Sequence, residues 1–471
     1  MPGENTLMMK KLFCLFLIPL ALASCSDKAD SNKIDRTLLP APEVESTNIA
    51  NGSNVDVFTD SLIVAYNAIV VYNPLSPVTI SEGEITSCYI KDNTELVVKF
   101  NSVIGHAYTI CVNDKSVLGR ESRKYAEGFD ITFTSTADIS VVQNSLTNAN
   151  ATEPAKKLYN FLLENYGKKV ISGAMGEVAW NTGFCDMIYA TSGKYPAIVG
   201  FDYIHLASSP ANWIDYGDIT PVKKIWDAGS VPAMTWHWNV PKSENGSVDG
   251  YDASSSQFKA SNVLVEGTWE NKVAVADVEK LAGYLKLLQN AGIPVLWRPF
   301  HEAAGDYSWG NWFWWGNSGV ETTKELWKWL RDKLTNEYGL NNLIWVWTVQ
   351  TSDQGKPAAV AKMEEAYPGD DLVDIVGVDI YPEETMTNQS AQFELLYKLV
   401  KGKKLIALSE CGNLVDIDSA FDDGALWSYF MGWYEMDDNG NPTFNQWNTN
   451  NEWSNVLNNP LVLNRGGLNL R

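Results

Sequence analysis

Positive charge is scarce in this 471-residue chain, in which 36 Lys and Arg residues stand against 57 Asp and Glu residues, a formal net charge of −21. A nucleic-acid-binding surface needs clustered basic residues that neutralise phosphates, so this balance argues against one. It also argues against an acidic polysaccharide. Because 45% of the residues are hydrophobic, we expect a globular chain of two or three domains that binds a neutral ligand.

Cysteine and histidine are also rare, with six and four residues. The cysteines form no CxxC pair and no paired spacing typical of a metal site, so we expect neither a metal nor another cofactor. Cys88 and Cys111 could form a disulfide within one domain. We prefer the interpretation that both are small buried hydrophobic residues.

The N-terminus has the pattern of an export signal. The apolar run at residues 12–23 follows two lysines and is too short to cross a bilayer. The run ends in LASC, which resembles a bacterial lipobox and predicts a lipoprotein signal peptide over residues 1–25 with lipidation of Cys25. An ordinary signal peptide that contains a cysteine is the alternative. Residues 26–35 predict a flexible linker, and the predicted location is the outer membrane, on its periplasmic or outer face.

Tryptophan marks a domain boundary, because all 19 tryptophans lie between Trp180 and Trp453. Residues 36–140 instead carry short alternating runs, such as TELVVKF and HAYTICV, between turn residues. This pattern predicts an all-β sandwich and resembles bacterial immunoglobulin-like modules. The segment has no cluster of catalytic side chains, which favours a spacer or docking module over weak glycan binding.

Residues 150–471 alternate strands with helical patterns such as VEKLAGYLKLLQNAG. The strand segments are KKVISGA, YPAIVGFDY, GSVPAMTWHW, IPVLWRPFHE, NNLIWVWTVQ, VDIVGVDIYP, KKLIALSECGN and ALWSYFMGWY. Eight strands with mostly helical crossovers predict an α/β protein with a (β/α)8 TIM barrel. A doubly wound sheet is the alternative, but no GxGxxG follows the first strand, which weakens its nucleotide-binding form.

Chemistry in a (β/α)8 barrel lies at the C-terminal ends of the strands. Glu302 ends the fourth predicted strand and Glu410 ends the seventh, so the two would face each other across the barrel mouth. Two carboxylates in an aromatic-lined cleft suit glycoside hydrolysis, in which one protonates the leaving oxygen and the other attacks the anomeric carbon or activates water. Other polar and aromatic residues at strand ends are Asp202, Tyr203, Trp236, His237, His301, Trp347, Asp379, Tyr381 and Trp433.

Three other interpretations of these residues are weaker. Either glutamate alone could cap the helix that follows it. The HE pair could begin an HExxH zinc motif, but position 305 is Gly305, and that motif belongs on a helix. Cys411 lacks the adjacent His–Asn pattern of a cysteine nucleophile.

The stretch VLWRPFHEAAGDYSWGNWFWWG, residues 295–316, places five tryptophans beside Glu302, like a surface built to hold a ligand. An indole covers the apolar face of a pyranose ring with a large rigid area, while polar neighbours bind the hydroxyls. Partial desolvation would raise the pKa of Glu302, so that it could stay protonated as an acid. The tryptophans expected to pack in the core are Trp327, Trp329 and Trp345.

The motifs WRPFHE, WFWWG, VGVDIY and LSECG, in this order within residues 150–470, resemble glycoside hydrolase family 26, the β-mannanase family of a retaining (β/α)8 clan. The resemblance implies that Glu302 is the acid/base and Glu410 the nucleophile. The substrate-binding residues that it implies are His237, His301, Tyr381 and Trp312. Residues of the motifs and strand ends add Arg298, Asp202, Trp236 and Trp433 to this group.

One departure from the family pattern is the insertion DYSWGN, residues 306–311. It lengthens the loop between HE and WFWWG and adds Trp309 as a further candidate sugar contact. Either Trp309 or Trp312 could make the main contact with the sugar. The longer loop is compatible with cleavage inside the chain (endo) or at its end (exo), and we prefer endo action.

The predicted function is that of a lipid-anchored, monomeric β-mannanase without a cofactor, which cleaves β-1,4 linkages in mannan, galactomannan or glucomannan by double displacement. Two alternatives stay open. One is a related clan enzyme that acts on mixed-linkage glucan or xylan. The other is a surface glycan-binding protein that has the cleft but no turnover.

Overall fold

The protein is described by a computed structural model over residues 35–254, 256–303, 313–350, 357–381, 389–444, 446–468 and 470. The predicted signal peptide and Cys25 lie outside these residues. Among the described residues, no helix combines the length and the apolar character needed to cross a bilayer.

An all-β module lies at the N-terminal side of the described chain. Its strands are β1 (Val44–Thr47), β2 (Ser53–Asp56), β3 (Ser61–Tyr66), β4 (Val70–Tyr72), β5 (Thr79–Ile80), β6 (Ile85–Lys91), β7 (Glu95–Phe100), β8 (Ala107–Val112), β9 (Val117–Gly119) and β10 (Phe129–Thr136). They form one sheet in the order β1-β3-β7-β6, a second in the order β2-β10-β8-β5, and the ribbon β4-β9.

The two four-stranded sheets share one hydrophobic core. Leu62 and Val64 of β3 contribute to it from one sheet, and Ile110 and Phe133 from the other. Every second residue of β3 is buried, as expected for a sheet with one face on a core and one in solvent. The predicted all-β character is confirmed, whereas the immunoglobulin-like relationship stays a prediction.

Cys88 and Cys111 are both free thiols. Cys88 lies on β6 and Cys111 on β8, which belong to different sheets. The disulfide is therefore not formed, but the two thiols are half-buried and not fully buried as we expected.

The remaining chain forms a closed parallel barrel, which confirms the predicted (β/α)8 fold. Its strands, in order around the barrel, are β12 (Gly173–Met175), β13 (Ile198–Asp202), β14 (Val231–Thr235), β17 (Val295–Arg298), β18 (Leu343–Gln350), β19 (Ile375–Ile380), β20 (Leu405–Cys411) and β21 (Phe430–Gly432). Every residue of these strands is buried, because helices cover the outer face of the barrel and side chains fill its interior.

The helices alternate with the barrel strands. They are α1 (Glu153–Asn165), α2 (Gly183–Ser192), α3 (Thr220–Asp227), α4 (Ala260–Val263), α5 (Trp269–Asn290), α6 (Val320–Asp332), α7 (Pro357–Ala366), α8 (Ser390–Leu399), α9 (Ile417–Asp422) and α10 (Asn450–Asn458). Short strands outside the barrel are β11 (Val170–Ile171), β15 (Val240–Pro241), β16 (Val248–Gly250) and β22 (Val462–Leu463). Short helical turns are Ile139–Val141, Trp314–Gly316 and Lys333–Glu337.

Local sequence sets the ends of these helices. The Thr268 hydroxyl accepts the backbone N–H of Asn271 at the start of α5, which satisfies a donor that has no partner within the helix. After its last turn, Gly292 takes a φ of 71°, a left-handed conformation that glycine adopts at low cost. Trp327 and Trp345 are buried against each other, which confirms that they pack in the core.

The β module packs on α8, on the outside of the barrel. The backbone N–H of Ile104 donates to Glu394 Oε2 at 2.7 Å, and the Tyr397 hydroxyl donates to Asp56 Oδ2 at 2.8 Å. Phe58 stacks on Tyr397 with the ring centroids 5.5 Å apart. Helices leave the barrel at its catalytic end and run toward the other end, so this interface lies beside the barrel wall and outside the cleft.

Candidate active site

The chain turns sharply where β17 ends, and this turn presents Glu302. Phe300 and Glu302 both have positive φ values, 49° and 56°, a region that non-glycine residues rarely adopt. The Glu302 backbone N–H donates to the Thr348 carbonyl at 3.2 Å, which ties the turn to β18. Strained backbone of this kind persists where the surrounding structure fixes a side chain for a purpose.

A cluster of buried charges fills the mouth of the barrel. Arg298 Nη1 donates to Asp379 Oδ2 at 2.5 Å, and its Nη2 donates to Glu410 Oε2. One carboxylate oxygen from each of Glu302, Asp379 and Glu410 lies within 4.8 Å of the other two. The fourth and seventh strands therefore bring the two predicted glutamates together. Three acids of this kind can attract a metal ion, but the guanidinium of Arg298 already supplies a positive charge among them; the absence of a metal stays a prediction.

Hydrogen bonds hold both oxygens of Glu410. The Tyr381 hydroxyl donates to Oε1 while Arg298 holds Oε2. Burial, and then the charge of Glu410, raise the pKa of Tyr381 well above its usual value, so the phenol keeps its proton. These two charge-assisted or hydroxyl donors fix the orientation of the Glu410 carboxylate.

Glu302 lies in an environment that favours its protonated form. Burial raises its pKa well above the usual value, and the charges of Asp379 and Glu410 raise it further, while Arg298 opposes them. Burial also raises the pKa of Asp379, to about 7, although Arg298 and the Ser409 hydroxyl favour its ionised form. Glu302 and Asp379 lie close enough to compete for one proton. Asp379 accepts hydrogen bonds from the stronger donors, so that proton resides on Glu302.

Two histidines extend the cluster toward β13. His237 Nδ1 donates to Asp202 Oδ2 at 2.5 Å, and its Nε2 lies 3.1 Å from His301 Nε2. Burial lowers the pKa of His237, but Asp202 outweighs burial and the pKa lies above its usual value. Burial, with Arg298 and His237, lowers the pKa of His301 well below its usual value.

The raised pKa of His237 and the lowered pKa of His301 favour His237 as the donor and His301 as the acceptor in the bond between their Nε2 atoms. The Thr235 hydroxyl donates to the carbonyl of Arg298. It accepts from His301 Nδ1, which lies 3.3 Å away. Both nitrogens of His237 are thus used within the protein.

Three aromatic residues form a wall behind the histidines. Phe313, Trp314 and Trp315 are all buried. Trp315 Nε1 donates to the carbonyl of His301 at 2.8 Å, and Phe313 stacks on Trp315 with centroids 4.3 Å apart. The prediction that residues 295–316 form a ligand surface is therefore wrong for Phe313, Trp314 and Trp315, because these buried rings support the site from behind.

Trp236 also differs from its prediction. It is 1% exposed and stacks on Trp238 with ring centroids 3.8 Å apart. A strand-end position alone suggested a sugar contact, but the side chain is turned into the core and has almost no surface for substrate. Trp309 and Trp312, the two predicted stacking residues, lie outside the described residues.

Trp433 and Tyr381 are half-buried at the edge of the cluster. The Trp433 ring lies 5.9 Å from the ring of His237. Trp447, which the sequence did not single out, is also half-buried and lies 5.3 Å from Tyr381. Gly412 allows this approach, since a Cβ there would lie 2.9 Å from the Trp447 ring. Trp447 lies in the long segment between β21 and α10, well beyond the strand end, so strand-end reasoning could not find it.

Asp379 was recognised as a strand-end residue but not as a site residue. The structure puts it at the centre of the charge cluster, bonded to Arg298 and to Ser409 Oγ at 2.8 Å. Its signal was present in the sequence, because an aspartate at the end of an otherwise apolar barrel strand is costly unless it is paired.

Fold and site together define a (β/α)8 barrel with a close pair of glutamates at the ends of its fourth and seventh strands. The sequence profile of glycosyl hydrolase family 26 matches residues 147–467. The chain belongs to this family.

Individual relatives agree with this assignment. The chain is 35% identical to mannan endo-1,4-β-mannosidase B of Piromyces sp over 297 residues, which cover 61% of this chain and 48% of that protein. The crystal structure of the glycoside hydrolase 26 domain of a Prevotella bryantii endo-β-mannanase/endo-β-glucanase is 40% identical, with a TM-score of 0.63, and covers 69% of this chain and 100% of that one.

A third relative has a bound oligosaccharide. It is the β-mannanase from a symbiotic protist of the termite Reticulitermes speratus, complexed with gluco-manno-oligosaccharide, at 33% identity and a TM-score of 0.60. It covers 69% of this chain and 98% of that one. The chain spans about half the length of the Piromyces relatives it matches.

Proposed function

We propose that this protein is a retaining endo-β-1,4-mannanase, with Glu302 as the acid/base and Glu410 as the nucleophile. The observation that carries the proposal is the close approach of the Glu302 and Glu410 carboxylate oxygens, within 4.8 Å. Retaining enzymes keep their carboxyl groups about 5–5.5 Å apart, whereas inverting enzymes leave about 6.5–9.5 Å for a water molecule. The environments of the two acids support separate roles.

In the first step, Glu410 attacks the anomeric carbon and Glu302 protonates the glycosidic oxygen. The C–O bond to the leaving sugar breaks, and a covalent glycosyl-enzyme ester forms on Glu410. Arg298 and Tyr381 hold the carboxylate for attack. Glu302 has the proton to give because burial and its acidic neighbours raise its pKa.

In the second step, the charge interaction between Glu410 and Glu302 changes the pKa of Glu302 in the opposite direction. Ester formation removes the negative charge of Glu410, which is one cause of the raised pKa of Glu302. The pKa of Glu302 therefore falls in the intermediate, and its carboxylate can accept a proton from the water that attacks the anomeric carbon while the bond from that carbon to Glu410 breaks. The product keeps the configuration of the substrate.

The substrate class rests on charge and on the relatives. A chain with a net charge of −21 suits a neutral polysaccharide, and the relatives are mannanases by name. We propose mannan, galactomannan or glucomannan as substrates, with no cofactor and with a monomeric enzyme. We further propose that an immunoglobulin-like module joins the barrel to a lipid anchor at Cys25 in the outer membrane.

The roles of the two glutamates are tested by azide rescue with an activated aryl β-mannoside. Glu410→Ala should abolish turnover, and azide should then give the α-mannosyl azide of inverted configuration. Glu302→Ala is the matched control, because its glycosyl-enzyme still forms and azide should give the β-mannosyl azide of retained configuration. Azide products of the same configuration from both variants would contradict the assignment.

The substrate is tested with purified mannan, mixed-linkage glucan and xylan. We expect reducing sugar from mannan and an early ladder of oligosaccharides, as an open cleft should produce. One dominant disaccharide from the first minutes would contradict endo action. Faster release from glucan or xylan would favour a different substrate, and no release from any of the three would favour a binding protein.

A further inference from the structure

Trp213 is the most exposed large aromatic side chain among the described residues, at 61%. It lies in the loop that follows β13, at the end of the barrel that carries the catalytic cluster. An isolated exposed apolar residue needs no explanation by itself. The surroundings of Trp213, however, separate it from an ordinary surface residue.

The loop that carries Trp213 is held in one conformation. Ala211 and Ile214 exchange backbone hydrogen bonds of 2.7 and 3.2 Å, so that Asn212 and Trp213 form the tip of a tight hairpin. Ile214 is buried and anchors the hairpin to the core. The indole is thus exposed on a rigid support, which lowers the entropy lost when a ligand binds.

The base of the loop is tied to the catalytic strand end. The Tyr216 hydroxyl donates to the carbonyl of Asp202 at 2.9 Å and accepts the backbone N–H of His205 at 3.0 Å. His205 in turn packs against Trp213 with ring centroids 4.9 Å apart in an edge-to-face arrangement. Asp202 is also the partner of His237 in the cluster.

These contacts limit the distance between the indole and Asp202, which is itself bonded to the catalytic cluster through His237. Three residues of extended chain span at most about 11 Å, so His205 lies within that reach of Asp202. Trp213, which contacts His205, therefore lies on the same face of the barrel as Asp202 and the catalytic cluster. Its exposed neighbour Asn212 offers an amide that can bind sugar hydroxyls.

We propose that Trp213, positioned by His205, is a distal sugar-stacking subsite that binds a pyranose ring of a long substrate chain. The inference rests on the proposed function, since it takes a neutral β-linked polysaccharide as the ligand. A rigid indole with one open face matches the apolar face of a pyranose ring. A subsite so far from the bond that breaks adds affinity only for substrates long enough to reach it.

The test is kcat/KM for a series of manno-oligosaccharides from mannotriose to mannohexaose. Trp213→Ala should lower kcat/KM about tenfold on the longest member and leave the shortest unchanged. Trp213→Phe should recover most of the loss. Tyr189→Ala is the matched control, because Tyr189 is 46% exposed but lies in the last turn of α2, away from the cleft; it should show no dependence on chain length.

His205→Ala tests the positioning role. It should raise KM for mannohexaose with little change in kcat. Binding is measured separately by calorimetry on the inactive Glu302→Gln protein. Adding Trp213→Ala to that protein should weaken its binding of mannohexaose. An equal loss on all chain lengths, or no loss at any length, would overturn the subsite and leave the proposed function standing. A wild-type protein that cleaves no member of the series would overturn both.

Discussion

The two ends of the barrel both bury ionisable side chains, but they treat them in opposite ways. At the catalytic end, Glu302, Asp379 and Glu410 gather around the single guanidinium of Arg298. At the other end, Asp374 stands just before β19, and Oδ1 accepts both the N–H and the hydroxyl of Thr147 at 2.7 Å. Its Oδ2 accepts the N–H of Trp345 at 2.8 Å.

The network at the end opposite the catalytic cluster, here called the lower end, continues along the segment that joins the β module to α1. Arg331 Nη2 donates to Thr147 Oγ1 at 2.7 Å. Lys404 Nζ donates to Gln143 Oε1 and to the carbonyl of Asp370, both at 2.5 Å. These hydrogen bonds fasten residues 143–147 to the floor of the barrel, although Arg331 Nε is buried without a hydrogen-bond partner.

The difference shows what each end is built for. A carboxylate whose oxygens all accept hydrogen bonds contributes to stability, because breaking its contacts leaves buried groups without partners. Carboxylates that crowd one another keep a proton that they would otherwise lose, which costs stability but supplies an acid at neutral pH. The same residue type therefore fixes the fold at one end and carries the chemistry at the other.

The largest effect should come from Glu302→Gln, which removes the acid and keeps the shape. We expect kcat on mannan to fall roughly 10²- to 10⁴-fold, the contribution of general acid–base catalysis. An aryl mannoside with a good leaving group should show a smaller loss in the first step, because its departure needs no proton. Pre-steady-state release of the phenol measures that step.

The same variant should become more stable than the wild type as the pH rises. The raised pKa of Glu302 means that the folded wild type binds a proton that the unfolded chain releases above about pH 4.5, so its stability falls with rising pH in that window. Glutamine has no such loss. We expect the free energy of unfolding of Glu302→Gln to exceed that of the wild type by about 1 to 3 kcal/mol at pH 7, and the difference to vanish near pH 4. Denaturant unfolding at both pH values measures this difference. A variant that is less stable than the wild type at pH 7 would refute the prediction.

The second effect concerns the lower end. Asp374→Ala should lower the free energy of unfolding by about 2 to 3 kcal/mol, because the partly buried donors of Thr147 and the buried donor of Trp345 lose their acceptor. The kcat of the folded variant should stay within about twofold of wild type, since the catalytic end is untouched. Asp332→Ala, an exposed aspartate on α6, is the control and should change stability by less than about 0.5 kcal/mol. Loss of kcat in the folded Asp374→Ala protein would mean that the two ends are coupled.

The smallest effect should appear in the pH profile of Asp379→Asn. The charge of Asp379 helps to raise the pKa of Glu302, so its removal should lower that pKa. The alkaline limb of kcat/KM should therefore move to lower pH. Ser409→Ala removes a hydrogen bond to Asp379 but keeps its charge, and should move the limb much less. A shift of the limb to higher pH would contradict the assignment of the proton to Glu302.

Much of the architecture followed from local patterns. Apolar runs of β18 and β20 that are buried throughout can only belong to a sheet covered on both sides, and their alternation with helices predicts a parallel barrel. The positions of Glu302 and Glu410 at strand ends then followed from the barrel itself. The sequence alone also identified the all-β module, through its alternating strands and its lack of tryptophan.

Side-chain direction was decided by the tertiary structure. Trp236 and His237 are neighbours at one strand end, yet the first packs on Trp238 and the second joins the catalytic cluster. Successive residues of extended chain face opposite ways, and only the fold decides which way is the core. Trp314 and Trp315 look like ligand surface in the sequence but are buried behind His301.

The chain by itself determined which groups could do chemistry, since it contains four histidines and two glutamates at opposed strand ends. Only the tertiary structure decided how those groups are charged. The proton on Glu302 depends on the approach of Asp379 and Glu410 to within 4.8 Å, on burial, and on the place of one guanidinium. Electrostatic interactions depend on distance and on the surrounding dielectric, and neither quantity exists until strands far apart in the sequence close into a barrel.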